Sequence, residues 1–209
     1  RVLISNNDFV LSISGLLKRN NPTKSTPNSE ESKRIANRLI YYHSKTDFIK
    51  NGDIVSIANK RNRILAYGIV VTPDCDLEWQ RTKYLEIIEL DFITSLKLGF
   101  NTGQITSIKQ YQNDSFYYFP SIIVGTELKD FVAILKSKLI IQEVSETSNP
   151  KYPSAKKRFL YSNTHLYKNI NVNLSLICSI SNPYKAEFFQ KLHTNNSRVG
   201  IPDIKDLFN

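Results

Sequence analysis

Side chains able to do chemistry are densest in one short run of this 209-residue chain, where Asp74, Cys75, Asp76, Leu77 and Glu78 follow Thr72 and Pro73. If that run is extended, Asp74, Asp76 and Glu78 point the same way, because strand side chains alternate, and three carboxylates on one face suit Mg²⁺. If it is a turn, Asp74 caps the bend after Pro73 while Cys75 and Leu77 point inward. The turn is the reading adopted here, since like charges held together without a metal repel, and a turn lets water separate them. Cys75 lies between two aspartates, which oppose the thiolate a nucleophile needs. It and Cys178 sit in apolar runs and are read as buried thiols of a reducing cytoplasm. The two cysteines with His43, His165 and His193 lack the paired spacing of a zinc site, so no metal or cofactor is expected. Pro73-Asp74 also opens a metal-nuclease signature, but Glu127-Leu128-Lys129 lies well outside the strand expected to carry its second half, Tyr84 to Leu90.

A second concentration is cationic. Lys156, Lys157 and Arg158 run into Phe159, Tyr161, His165 and Tyr167, and this interleaving of cations with aromatics offers phosphates a charge and bases a stacking surface. Lys60, Arg61 and Arg63 extend the same character. The competing reading is a basic edge strand whose lysines block sheet-to-sheet aggregation, and the residues alone leave both open. The formal charge of +9 is unevenly spread: residues 1–63 carry +7, residues 64–146 carry −4, and residues 147–209 carry +6. No run reaches the roughly 18 apolar residues of a membrane span, and the first 30 residues lack the pattern of a secretion signal. The chain starts at Arg1 and contains no Met, which is expected of a segment from a longer protein with a missing domain or a second copy as partner.

These side chains must be positioned by regular elements. With 41% hydrophobic and 22% charged residues the chain is of ordinary globular composition. Residues 20–29 read as a polar linker. Asn28 with Glu31 forms a capping box that starts a helix over 29–44, with Ile35, Leu39 and Tyr42 as its apolar face and Ala36, Ile40 and His43 beside them. Strand-like runs follow at Asp53 to Ala58, Ile64 to Thr72, Tyr84 to Leu90, Ile105 to Tyr111 and Phe116 to Val124, the last two joined by a turn at Asn113 and Asp114. Tyr117, Tyr118 and Phe119 read as packing residues. Residues 129–144 fit helix or strand equally. Asn182-Pro183 opens a second helix over 183–194, with Tyr184, Phe188, Phe189 and Leu192 as its buried stripe.

Asn51-Gly52-Asp53-Ile54-Val55, the charged hairpin at Asn59 to Arg63, and Gly68 through Thr72-Pro73-Asp74 resemble the opening strands of the PemK/MazF-like toxin barrel, over residues 51 to about 90. The resemblance implies a small SH3-like barrel and metal-independent cleavage of single-stranded RNA. It places the family's catalytic Ser/Thr on Thr72 and its catalytic Arg on Ala66, which has no cation, so Arg61 or Arg63 would have to swing into the vacancy. A fixed cation where charge accumulates is worth a few kcal/mol of barrier, so its loss bears directly on catalysis. The C-terminal pattern, Asn182-Pro183-Tyr184 through Arg198-Val199-Gly200-Ile201-Pro202, is similar to bacterial proteins of unassigned function.

The expectation is therefore an α+β protein: a helical and linker segment over 1–49, an SH3-like barrel or bent antiparallel sheet over 50–145, and a basic segment and helix over 146–209 packing on the barrel. Function is expected to be binding of single-stranded RNA in the cytoplasm. Thr72, Arg61 and Arg63 mark the groove, and Lys60, Lys156, Lys157, Arg158 and Tyr161 make the nucleic-acid contacts. The alternative is a non-enzymatic interaction domain of a multidomain bacterial signalling or defence protein.

Overall fold

The computed structural model describes residues 29–43, 46–78, 82–144 and 159–197. Within them, helix α1 (Ser29–Ile40) leads into strands β1 (Tyr41–Tyr42), β2 (Asp53–Asn59) and β3 (Ile64–Val70) and the short helix α2 (Asp74–Glu78). Strand β4 (Tyr84–Phe92), helix α3 (Thr102–Lys109), β5 (Phe116–Val124), β6 (Glu127–Glu143), β7 (His165–Tyr167), β8 (Ile170–Ile180) and helix α4 (Tyr184–Ser197) follow. All strand pairs are antiparallel. The ladder runs β1-β8-β2-β3-β4-β6-β5, and β7 bonds both β6 and β8, so β2, β3, β4, β6, β7 and β8 close into a six-stranded barrel. The α+β fold with a small SH3-like barrel and flanking helices is as expected. No helix among the described residues is long and apolar enough to cross a membrane.

The barrel's boundaries differ from the expectation. It does not end near residue 145: β7 and β8 complete the ring, and β8 pairs with β2 from Asp53↔Ser179 to Asn59↔Val172. The physical reason is closure, because without β8 the outer edge of β2 would leave a row of backbone groups unpaired. Residues 129–144 resolve to strand and form most of β6, the longest strand. Residues 105–111 were expected as strand but lie mainly in α3, which Asn101 caps by accepting from the Gln104 amide while the Gln104 side chain accepts from the Asn101 amide.

Alternation sorts the strand side chains into two cores. Val55, Ile57, Val70, Ile87, Leu139 and Leu174 fill the barrel, with Leu77 and Phe159 in the same cluster. The opposite faces of β2, β3 and β4 send Ile54, Ile69 and Leu90 into a second core that includes Phe119, Phe131 and Phe188. Phe188, fully buried on α4, packs against Tyr117 (T-shaped) and Phe119 (tilted) with ring centroids 5.3 and 5.4 Å away. On α1 the buried stripe is Ala36, Asn37 and Ile40 rather than Ile35, Leu39 and Tyr42; Leu39 and Tyr42 are exposed. The helix is turned so that Asn37 Nδ2 donates to the Ser121 carbonyl at 2.7 Å. Tyr41 and Tyr111 donate to the carbonyls of Pro120 and Tyr118 (2.9 and 3.1 Å). Side-chain donors thus occupy carbonyls along β5, an edge strand of the sheet.

Candidate nucleic-acid interface

One end of the barrel is built around a turn that Asn51-Gly52 dictates. Gly52 takes φ +88°, a backbone state that favours glycine, and the Asp53 amide closes the turn on the Lys50 carbonyl at 3.1 Å. The Asp53 carboxylate is fully buried and accepts from Ser179 Oγ (2.6 Å), Tyr161 Oη (2.7 Å) and the Lys50 amide (2.8 Å). Burial raises its pKa even against these donors. Asn51 Nδ2 donates to the carbonyls of Val71 and Thr72, its amide donates to Asp74 Oδ1, and its carbonyl accepts from Lys185 Nζ at 2.7 Å. These side chains fasten β2, β3, α2, β8 and α4 to one another.

Thr72 belongs to this fastening. It is 2% exposed, and its hydroxyl accepts the Glu86 amide proton at 2.7 Å. Arg61 and Arg63 lie in the β2–β3 hairpin, at the opposite end of β3. Seven strand residues span roughly 20 Å, so the structure does not bring the three expected catalytic residues together. Ala66, which stands where the resemblance puts the catalytic arginine, packs against the barrel interior. The Asp74–Glu78 run is helical, which excludes the extended arrangement with three carboxylates on one face. Among the described residues no three His, Cys, Asp or Glu side chains assemble as a metal site. Leu77 points inward as expected, but Cys75 is exposed, because the helical turn carries it to the outside. Cys178 is buried, and burial with the nearby Asp53 charge pushes its thiol up to about 12. His165 is buried as well, its Nε2 3.0 Å from the Leu160 carbonyl, and burial lowers its pKa.

The other end of the barrel carries cations on short loops. Asn59 Oδ1 accepts from the amides of both Arg61 and Arg63 at 3.0 Å, and the Asn59 amide donates to the Arg63 carbonyl. One side chain therefore fixes the hairpin backbone and leaves Lys60, Arg61 and Arg63 exposed. The β7–β8 hairpin turns through Lys168 (φ 49°) and Asn169 (φ 63°), the mirror-image turn that suits two-residue hairpins. Since Asn59 pairs with Val172, the two tips are neighbours. Among the described residues Lys60, Arg61, Arg63 and Lys168 have no carboxylate within ion-pair distance. Lys168 Nζ sits 5.2 Å from the Tyr167 ring centroid. Glu89, whose carboxylate feels the Lys168 charge, is held by Lys97 Nζ and Ser137 Oγ, both at 2.5 Å.

A sequence signal for this arrangement exists. Residues 54–73 contain Lys60, Arg61 and Arg63 and no Asp or Glu, and residues 147–186 contain six Lys/Arg and no Asp or Glu. The β2–β8 ladder joins these two acid-free stretches, and the one acid at the start of β2, Asp53, is buried. Lys156, Lys157 and Arg158 lie outside the described residues; Phe159, next in the chain, is buried, and its carbonyl accepts the Ile49 amide at 3.0 Å. Tyr161 is partly buried, and its hydroxyl is taken up by the bond to Asp53. No protein-family model matches the chain, and no significant match exists among curated proteins or solved structures.

Proposed function

We propose that this chain is a nucleic-acid-binding module that holds single-stranded RNA at the loop end of its barrel and does not cleave it. The observation that carries the reading is the joining of the two acid-free stretches by barrel closure, which gathers Lys60, Arg61, Arg63 and Lys168 with no ion-paired carboxylate among the described residues. Cations so placed bind by releasing counterions from a polyanion. The resemblance of residues 51 to about 90 to RNA-cleaving toxin barrels supports RNA as the polymer. The separation of Thr72 from both arginines supports binding without catalysis, since phosphoryl transfer without a metal requires a cation fixed beside the reacting group.

The test is fluorescence anisotropy of labelled oligouridine across a salt series. Four phosphate contacts give a slope of log K on log salt of about −3 for a single strand. Replacing Lys60, Arg61 and Arg63 together by Glu should abolish binding, and the RNA should remain intact throughout. Absent or salt-insensitive binding by the unaltered protein overturns the proposal. A second reading, an interaction domain within a larger protein, is favoured by the exposed Ile64, Leu65 and Ile170 on the strands that flank the same tips. It is supported instead if the triple variant keeps the wild-type salt response.

A further inference from the structure

Resting on that reading, we infer that the outer face of β8, β2 and β3 is the surface on which the bases of the bound strand lie, with Tyr67 as the stacking residue. Two cross-strand rows define this face. Ser175, Ser56 and Tyr67 are directly paired across the three strands, and Asn173, Ala58 and Ile64 form the next row towards the cationic tips. Spacing between strands of about 4.8 Å makes each row roughly 10 Å wide. In the continuation of the first row the outward face is covered: Leu90 is 2% exposed, Ala133 is fully buried and Tyr117 is 2% exposed. Asn173 and Ser175, by contrast, are exposed, and Ser56, Ala58 and Tyr67 are only partly buried.

The residue types on this face are those that suit a base. Ser and Ala stand low above the sheet and let a flat ring approach, while the serine hydroxyls and Asn173 amide donate and accept as base edges and ribose 2′-hydroxyls require. Tyr67 makes T-shaped contacts with Phe92 and Phe131, with centroids 5.5 and 5.2 Å away. These contacts fix the Tyr67 ring on one side, and its hydroxyl makes no hydrogen bond among the described residues. Neither β2 beyond Asp53, nor β3, nor β8 carries an acid, so a strand lying here meets no repelling carboxylate from its own platform. Its phosphates run towards Lys60, Arg61, Arg63 and Lys168. Charge complementarity with this cationic rim, whose members form no ion pair among the described residues, selects a polyanion as occupant, and the aromatic with small polar neighbours selects one with exposed bases.

The experiment compares oligouridine with an abasic phosphodiester strand of the same length, for the unaltered protein, Tyr67→Phe and Tyr67→Leu, with thermal unfolding recorded for each. Oligouridine should bind the unaltered protein and Tyr67→Phe about tenfold or more tighter than the abasic strand, in line with the worth of one base–aromatic stack. Tyr67→Leu should lose that preference while binding the abasic strand as before. Amide NMR shifts at Ser56, Tyr67 and Ser175 should respond to oligouridine and not to the abasic strand. Equal affinity of the unaltered protein for the two strands, or shifts confined to the loops, overturns this inference and leaves binding at the cationic tips standing. If neither strand binds, the reading it rests on fails with it.

Discussion

The Tyr161 hydroxyl donates a 2.7 Å hydrogen bond to Asp53 Oδ2 across 108 residues of sequence, tying the segment that precedes β7 to the first residue of β2. Tyr161→Phe leaves a buried carboxylate short of one donor and should cost about 1 to 3 kcal/mol of stability, read by urea unfolding.

The same carboxylate makes stability fall with pH. Burial holds Asp53 above its ordinary value of 3.8, so the native state keeps a proton that the unfolded chain releases. The associated stability is fully present below about pH 4 and is lost as pH rises through the folded-state value. Asp53→Asn should remove this decline; profiles of unfolding free energy against pH that run parallel for the two proteins would contradict it.

His165 acts with the opposite sign. Its Nε2–H donates to the Leu160 carbonyl, and Nδ1 is buried without a partner among the described residues, so the neutral ring is favoured and its pKa lies below 6.5. The stability it contributes is present above pH 6.5 and is lost as pH falls through the folded-state value, at a rate of at most ~1.4 kcal/mol per pH unit for one proton. His165→Gln keeps a side-chain donor and should flatten this acid limb in thermal unfolding across the same range.

Thr72 should behave as a structural residue. Thr72→Ala strips the Glu86 amide of its acceptor and should cost ~1 to 2 kcal/mol, with Thr72→Ser restoring most of it. Affinity for oligouridine should be unchanged in both, and neither protein should cleave it. Cleavage by the unaltered protein that disappears in Thr72→Ala would restore the catalytic role.

Gly68 is required by packing. A Cβ there would lie 2.1 Å from Ile87 Cγ2 and 3.0 Å from the Ile88 carbonyl oxygen. Gly68→Ala should destabilise by roughly 1 to 3 kcal/mol through displaced strands, measured by chemical unfolding.

Much of the architecture was legible in local pattern. The runs now seen as β2, β3, β4 and β5 declare themselves by β-branched and aromatic content and α4 by its apolar spacing, because local sterics and amphipathic period act within a few residues; α1 was legible as a helix but not in its buried stripe, and its expected cap, Asn28, lies outside the described residues. The inward turn of Leu77 and the burial of Cys178 followed from the same logic. What composition could not supply was partnership. That β8 closes the barrel against β2, that Tyr161 turns in to Asp53, and that Thr72 and Arg63 stand at opposite ends of one strand are all consequences of long-range pairing. A residue's neighbours across a sheet are set by register and closure, which depend on every strand at once, so the charges of two distant stretches become one surface only in the folded chain.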